Sequence, residues 1–228
     1  MIRTIVILEF VIFTTIFFSS IIIYLSYLIK DSDKLNNLTK RWAQSILIAS
    51  NIKVTVKGIE NIDTSKSYIF MANHSSQLDI LVLLGSIPIQ FRWLAKAELF
   101  KIPLFGGALR HSGQISIDRS NRKSAFKSLK IAADTINNGV SVVIFPEGTR
   151  SLDGKIREFK KGGFVLAVEA GVPIIPVIIH GTNKIMPKKG LRIASGNVHL
   201  EFKSPIDTSE FTRKTKDLLL QKVRRVMI

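Results

Sequence analysis

Short apolar runs alternate with longer amphipathic stretches from residue 53 to the end of the chain. Residues 53–58 alternate polar and apolar side chains, which predicts an edge strand. The apolar runs at 67–72 and 141–145 carry β-branched and aromatic side chains, which predicts buried strands. Residues 78–84 predict the start of a buried helix. This alternation predicts an α/β fold, with a mixed sheet flanked by helices.

The remaining elements follow from the same patterns. Further strands are predicted at 113–119, 172–177 and 198–202, and a basic helix at 208–226. Residues 122–138 predict a helix that ends at Gly139. The predicted core face of this helix consists of Phe126, Leu129, Ala133 and Ile136, and a basic stripe on it consists of Lys123, Lys127 and Lys130.

The amino-terminal pattern is different. Residues 4–29 are apolar with Glu9 as their only charge, and about 20 such residues suffice to cross a bilayer. A cleaved signal peptide would have an apolar core of about 7–15 residues and an Ala-x-Ala-like cleavage site. The run is longer and shows no such site. It therefore predicts a retained membrane anchor, either a single span or a hairpin that enters one leaflet.

Residues 34–50 place apolar side chains on one helical face, which predicts an amphipathic helix at the membrane surface with Trp42 at headgroup level. Basic residues follow the apolar run more often than they precede it. The positive-inside rule then predicts the inner, cytoplasmic membrane, with the rest of the chain on the cytoplasmic side. The predicted division is a membrane-anchoring segment at 1–50 and an α/β domain at 51–228.

A histidine and a carboxylate stand five positions apart where the strand at 67–72 gives way to the next helix. His74 lies in the predicted turn, and Asp79 lies in the first helical turn. A carboxylate that holds an imidazole lets it accept a proton from a hydroxyl at neutral pH. The alternative is a capping box formed by residues 76–79, with His74 as a plain loop residue. The two interpretations are compatible.

Charged residues also follow other predicted strands. Pro146 ends the run at 141–145, and Glu147, Gly148, Thr149 and Arg150 come next. Ligands of α/β sheets bind at such strand tips, and a guanidinium suits phosphate. An ordinary surface turn is the alternative.

Four blocks in this order resemble the glycerolipid acyltransferase family. The blocks are His74 to Asp79, Gly113 to Arg119, Phe145 to Arg150, and Val172 to Val177. The resemblance covers about residues 50–205, and the positions that carry the family's chemistry show no departure from its pattern.

The resemblance implies that His74 is a general base oriented by Asp79. It would deprotonate the free hydroxyl of lysophosphatidic acid, and the alkoxide would attack an acyl thioester to give phosphatidic acid. Glu147 would orient Arg150 or accept a glycerol hydroxyl, because a carboxylate does not attract phosphate. The substrate-binding residues implied are Lys96, Arg119, Glu147, Gly148, Thr149 and Arg150.

Composition limits the classes of partner that the chain is expected to bind. The formal net charge is +16, and most of the excess lies in residues 51–228. An anionic bilayer, a phosphorylated substrate or an acidic acyl carrier protein would suit this charge. Nucleic acid is disfavoured because no basic recognition helix or aromatic-basic motif is evident. The chain has no cysteine, and its four histidines lack metal-ligand spacing. We therefore expect no metal and no cofactor, with acyl-CoA or an acyl carrier protein thioester as co-substrate.

Three alternatives remain open at this point. The acceptor of an acyltransferase could instead be glycerol 3-phosphate or another lysophospholipid. A membrane-associated thioesterase would use His74 to activate water. A non-catalytic membrane module that binds phospholipids would need the arginines but neither His74 nor Asp79.

Overall fold

The computed structural model describes residues 1–118, 122–190 and 192–228, with the side chain of residue 122 left out. The helices are α1 (Ile2–Ser26), α2 (Ser32–Ala49), α3 (Leu78–Ser86), α4 (Phe105–His111), α5 (Arg122–Asn137), α6 (Gly162–Ala170), α7 (Thr182–Ile185) and α8 (Lys216–Met227). The strands are β1 (Ile52–Lys57), β2 (Ile69–Ala72), β3 (Phe91–Lys96), β4 (Ile115–Ile117), β5 (Ser141–Ile144), β6 (Ile174–His180) and β7 (Gly196–Phe202). Short 3₁₀ turns lie at Ile59–Asn61 and Ala97–Lys101.

The seven strands form one mixed sheet in the order β1-β7-β6-β2-β5-β3-β4. Neighbouring strands are parallel except β6 and β7, which are antiparallel. The predicted fold class is therefore confirmed. Because β2 lies between β6 and β5, the loops that follow these three parallel strands meet at one edge of the sheet.

Alternate side chains of the central strands enter two separate cores. Phe70 and Ala72 face a layer that contains α2, α3 and α4, whereas Ile69 and Met71 face a layer that contains α5, α6 and α8. Since both faces of the sheet are covered, β2 is buried at every position. This buried scaffold holds the loops at the sheet edge.

Helix α5 packs on the sheet through most of its predicted core face, with one exception. Phe126 is 57% exposed, so its prediction as a core residue is wrong. Ile136 is buried as predicted, and Leu129 and Ala133 are partly buried against the core. Ser128 and Ala132 are buried as well, and Ser128 Oγ donates a hydrogen bond to the Ser116 carbonyl at 2.7 Å. Small side chains at 128 and 132 let the helix lie close to the sheet, which turns Phe126 outward.

The apolar face of α2 packs inside the protein. Ala43 and Leu47 join the core over α3, and Leu35 packs on α1 and α4. Polar contacts fix the same helix: buried Asn36 donates to the Phe91 carbonyl at 3.2 Å, and Arg92 pairs with an aspartate at its first turn. The pattern that predicts a membrane-surface helix therefore marks a helix whose apolar face is covered by protein.

Helix α1 carries the apolar surface that remains uncovered. Within the described part of the chain, α1 alone is long and apolar enough to cross a bilayer, with a mean hydropathy of 2.4. It packs on α2 and α4 along one side. Large apolar side chains are exposed along the rest of it, including Ile5, Ile12, Phe13, Ile16 and Phe17. This surface indicates association with a membrane.

Candidate active site

The turn between β2 and α3 folds the imidazole of His74 back onto Asp79. His74 Nδ1 lies 2.8 Å from Asp79 Oδ2. The same oxygen accepts the backbone N–H groups of Ser75 at 2.7 Å and Ser76 at 2.9 Å. Asp79 therefore ties the start of α3 to the turn and holds the histidine, so the capping and catalytic interpretations describe the same side chain.

The two members of the pair differ in how far they are buried. The Asp79 side chain is fully buried, whereas 12% of the His74 side chain remains accessible. The ring of Phe145 stacks on the imidazole with centroids 4.0 Å apart and an angle of 20° between the rings. Because the carboxylate occupies Nδ1, a proton resides there and Nε2 is left as the basic nitrogen. The site thus holds an oriented base.

Glu147 holds the backbone around His74. Its Oε1 accepts the His74 N–H at 2.7 Å, and its Oε2 accepts the Arg157 N–H at 2.9 Å. The carboxylate is buried, and the Ser151 N–H donates to the His74 carbonyl at 2.8 Å. Glu147 therefore joins the loop after β5 to the turn after β2, which is a different task from the expected contact with Arg150 or substrate.

We expect Glu147→Gln to lower stability by about 1–3 kcal/mol, because the amide would turn one N–H donor toward another donor. Thermal unfolding and acceptor kinetics would be measured together. The expected result is a lower melting temperature and a lower kcat. An unchanged melting temperature with a raised acceptor KM would instead place Glu147 against the substrate.

Cations surround the tips of β3 and β5, which are neighbours in the sheet. Lys96 ends β3 with its side chain 64% exposed and pairs with Glu98 at 3.2 Å. Hydrogen bonds from the backbone N–H of Glu98 itself and from Lys96 lower the pKa of Glu98. Arg150 is half-buried beyond β5, and its carbonyl accepts Lys188 Nζ at 2.6 Å. These groups make the edge suited to an anion.

Gly148 and Thr149 shape the same turn. Gly148 has a φ of 71°, and a Cβ there would lie 2.8 Å from Cε of Lys160. The positive φ favours glycine at this position, and the Lys160 side chain lies against the turn, while Thr149 is exposed beside it. Arg119, the remaining residue of the expected substrate-binding set, lies outside the described residues.

Three residues at this edge of the sheet lie outside the four sequence blocks. Lys160 and Lys188 reach the turn from segments outside the four blocks. Thr182 follows β6 and donates from Oγ1 to Asp79 Oδ1 at 2.5 Å. A contact across 103 positions has no signature in a single sequence.

Apolar cavities lie near the turn between β2 and α3, residues 73–77, which we call the histidine turn. One cavity lies on each face of the sheet. A cavity of about 300 Å³ lies between α1, α2 and α3, and Gln77, Leu78 and Ile80 are among the residues that line it. A second cavity of about 200 Å³ lies beside Phe145 under α5 and α6. Each can take a length of aliphatic chain. In the described ranges, no group of three or more histidine or acidic side chains is placed to hold a metal ion.

Comparisons with known proteins relate the chain to one family. The family model described as Acyltransferase matches residues 53–180. The chloroplastic 1-acyl-sn-glycerol-3-phosphate acyltransferase LPAT1 of Arabidopsis thaliana is 38% identical over 175 residues, which cover 76% of this chain and 49% of that protein. The human 1-acyl-sn-glycerol-3-phosphate acyltransferase alpha is 34% identical over 178 residues, 78% of this chain and 63% of that one. The chain thus spans about half the length of the chloroplastic relatives that it matches.

A solved structure matches nearly the whole chain. The crystal structure of the 1-acyl-sn-glycerophosphate acyltransferase PlsC from Thermotoga maritima superposes with a TM-score of 0.80 at 30% sequence identity. The match covers 99% of this chain and 95% of that one. The likeness therefore includes the amino-terminal helices as well as the sheet.

Proposed function

We propose, since this chain belongs to the acyltransferase family, that it transfers an acyl group from an acyl thioester to the free hydroxyl of lysophosphatidic acid, which gives phosphatidic acid. The observation that carries the proposal is the contact between His74 and Asp79 at a sheet edge that also collects cations. The related proteins named above support the choice of acceptor.

The proposed reaction begins at Nε2 of His74. This nitrogen takes the proton of the acceptor hydroxyl while Asp79 stabilises the imidazolium. The alkoxide oxygen attacks the thioester carbonyl carbon, and the resulting tetrahedral intermediate expels the thiolate. The imidazolium then protonates the thiolate, so the base returns to its starting form. A base of this kind contributes roughly 10²–10⁴-fold to the rate.

The phosphate of the acceptor is proposed to lie among the cations beyond β3 and β5. Arg150 supplies a planar fork for two phosphate oxygens, and Lys96 supplies a point charge. Arg119 keeps its expected place in this set through the resemblance alone, and Gly148 and Thr149 shape the turn. Lys160 and Lys188 join the set because they contact the same turn.

We expect Arg150→Ala to raise the acceptor KM roughly 10- to 100-fold with a smaller change in kcat, because a charge-assisted contact to phosphate is lost. Steady-state kinetics with varied lysophosphatidic acid would measure this. Lys155→Ala, which removes an exposed cation farther along the same loop, is the matched control and should leave KM unchanged. An unaltered KM in Arg150→Ala would remove this residue from phosphate binding.

The site is proposed to work at the cytoplasmic face of the inner membrane. The cavity between α1 and α3 is lined by Ile7, Leu8 and Val11 of α1 and by Gln77 and Leu78, which lie close to His74 in the sequence. An acceptor can therefore keep its tail in lipid, which avoids extraction at about 0.8 kcal/mol per methylene. The basic excess after the apolar run supports the cytoplasmic side.

The donor is proposed to be acyl-CoA or an acyl carrier protein thioester, and the reaction needs no further cofactor. Both donors are anionic, which suits a chain with a net charge of +16. Lys123, Lys127 and Lys130 are exposed on α5, on the sheet face away from α1. This basic stripe supports the approach of an anionic donor from the aqueous side.

The proposal is tested with purified protein in vesicles, given a labelled acyl thioester with and without lysophosphatidic acid. Thiol release that requires the acceptor, with label appearing in phosphatidic acid, is the expected result. Release without acceptor would indicate a thioesterase. Binding of the lysolipid without any thiol release would indicate a non-catalytic lipid-binding module.

A further inference from the structure

The carboxylate that orients His74 is itself held by a side chain that follows β6, the strand beside β2 in the sheet. Thr182 is the first residue of α7, directly after β6, and it is fully buried. Its Oγ1 donates to Asp79 Oδ1 at 2.5 Å, a length typical of a hydroxyl bonded to a charged oxygen. Thr182 lies two residues beyond the end of the family-model match at residue 180.

The two oxygens of Asp79 are held from different parts of the chain. Oδ2 accepts His74 Nδ1 and two backbone N–H groups of the turn, whereas Oδ1 accepts the threonine hydroxyl. A carboxylate held at one oxygen alone can rotate about its Cβ–Cγ bond, since that torsion is broad. The contact from Thr182 blocks this rotation and keeps Oδ2 directed at the imidazole.

The segment that carries Thr182 is also fixed to the histidine turn. Ser76 Oγ donates to the Met186 carbonyl at 2.7 Å, and Ser75 Oγ lies 3.3 Å from Thr182 Oγ1. Gly181 precedes it with a φ of 99°, where a Cβ would lie 2.6 Å from the Asn197 carbonyl oxygen. The backbone at 181 therefore needs glycine, and it places the hydroxyl beside Asp79.

We propose that Thr182 is a positioning residue for acyl transfer, which acts by orienting Asp79 and, through it, the base His74. This inference rests on the proposed function. The residue touches no substrate, so its loss lowers kcat and leaves both KM values near those of the wild type. The expected loss is roughly 10- to 100-fold, the range for one hydrogen bond to a charged group.

Three substitutions separate the hydroxyl from the methyl group of Thr182. Thr182→Val keeps the shape and loses the hydroxyl, Thr182→Ser keeps the hydroxyl and loses the methyl, and Thr182→Ala loses both. We expect the wild type and the serine variant to have a similar kcat. The valine and alanine variants should both have a lower kcat, by the same factor. If the valine variant does not fold, serine and alanine still differ by the hydroxyl alone.

A buried threonine elsewhere supplies the control. Thr208 is 2% exposed, and its Oγ1 donates to the Val172 carbonyl at 3.1 Å. Thr208→Val should leave kcat unchanged. A fast valine variant and a slow serine variant at position 182 would overturn the proposal in favour of packing by the methyl group. Raised KM values with an unchanged kcat would overturn it as well.

A measurement without turnover keeps this test separate from the proposed function. The imidazole ¹⁵N signals of His74 are assigned by their loss in His74→Ala. The proposal expects one tautomer with the proton on Nδ1 in wild type and Thr182→Ser, and tautomer exchange in Thr182→Val. An unchanged spectrum in the valine variant would overturn the role of Thr182, whereas absent thiol release by the wild type would overturn only the acyl transfer.

Discussion

His74→Ala is expected to lower kcat by about 10²–10⁴-fold while the affinity for lysophosphatidic acid stays within about twofold of wild type. The substitution removes the proposed base but leaves the cations beyond β3 and β5 in place. The acceptor is then bound with no group to take its proton. Single-turnover rates with a labelled thioester, together with lysolipid binding to the same protein preparation, measure both quantities.

The matched control is His111→Ala, which removes an exposed histidine at the end of α4. It should retain the rate of the wild type. A His74→Ala protein that keeps its kcat within tenfold would contradict the assignment of the base. A loss of lysolipid binding equal to the loss of rate would instead place the imidazole against the acceptor in its ground state.

The sequence predicts the contact between His74 and Asp79 because the relevant signal is local. The apolar run of β2, the polar turn and the apolar start of α3 follow one another within about 20 residues. A strand that changes into a helix over a five-residue turn leaves few ways to place His74 and Asp79. The contact at 2.8 Å agrees with that expectation.

Amphipathic patterns were less informative because they show that a face is apolar without showing what covers it. The apolar face of α2 suits lipid or protein equally, and protein covers it through α3 and β1. In α5, the small residues Ser128 and Ala132 approach the sheet, and Phe126 turns outward. Helical spacing alone does not show whether small side chains bring a helix close to the sheet or large side chains fill the space between them.

The sequence alone does not predict roles that depend on contacts between segments far apart in the chain. Glu147 has the residue type of a ligand to a substrate hydroxyl, yet its two oxygens accept backbone N–H groups from two different loops. Thr182 and Lys188 meet the site through contacts across 103 and 38 positions. Only the order of strands in the sheet brings these segments together.

Replacing Phe13 and Phe17 with aspartate is expected to release the protein from the membrane. Both rings are exposed on α1, at 66% and 49%, and they lie near the middle of the 25-residue helix. Each aspartate costs about 3 kcal/mol relative to phenylalanine near the bilayer centre. Two such changes weaken membrane association by roughly 10⁴-fold. Cell fractionation and flotation with vesicles of defined composition measure the change.

The aspartate pair also separates anchoring from chemistry, because neither ring belongs to the cores on either side of the sheet. The released protein should keep its fold and should still acylate a short-chain, water-soluble lysophosphatidic acid. Its rate with a long-chain acceptor in vesicles should fall with the bound fraction. Phe13→Leu with Phe17→Leu is the control and should stay membrane-bound. An aspartate variant that still floats with vesicles would show that the surface of α1 around these rings is not in lipid.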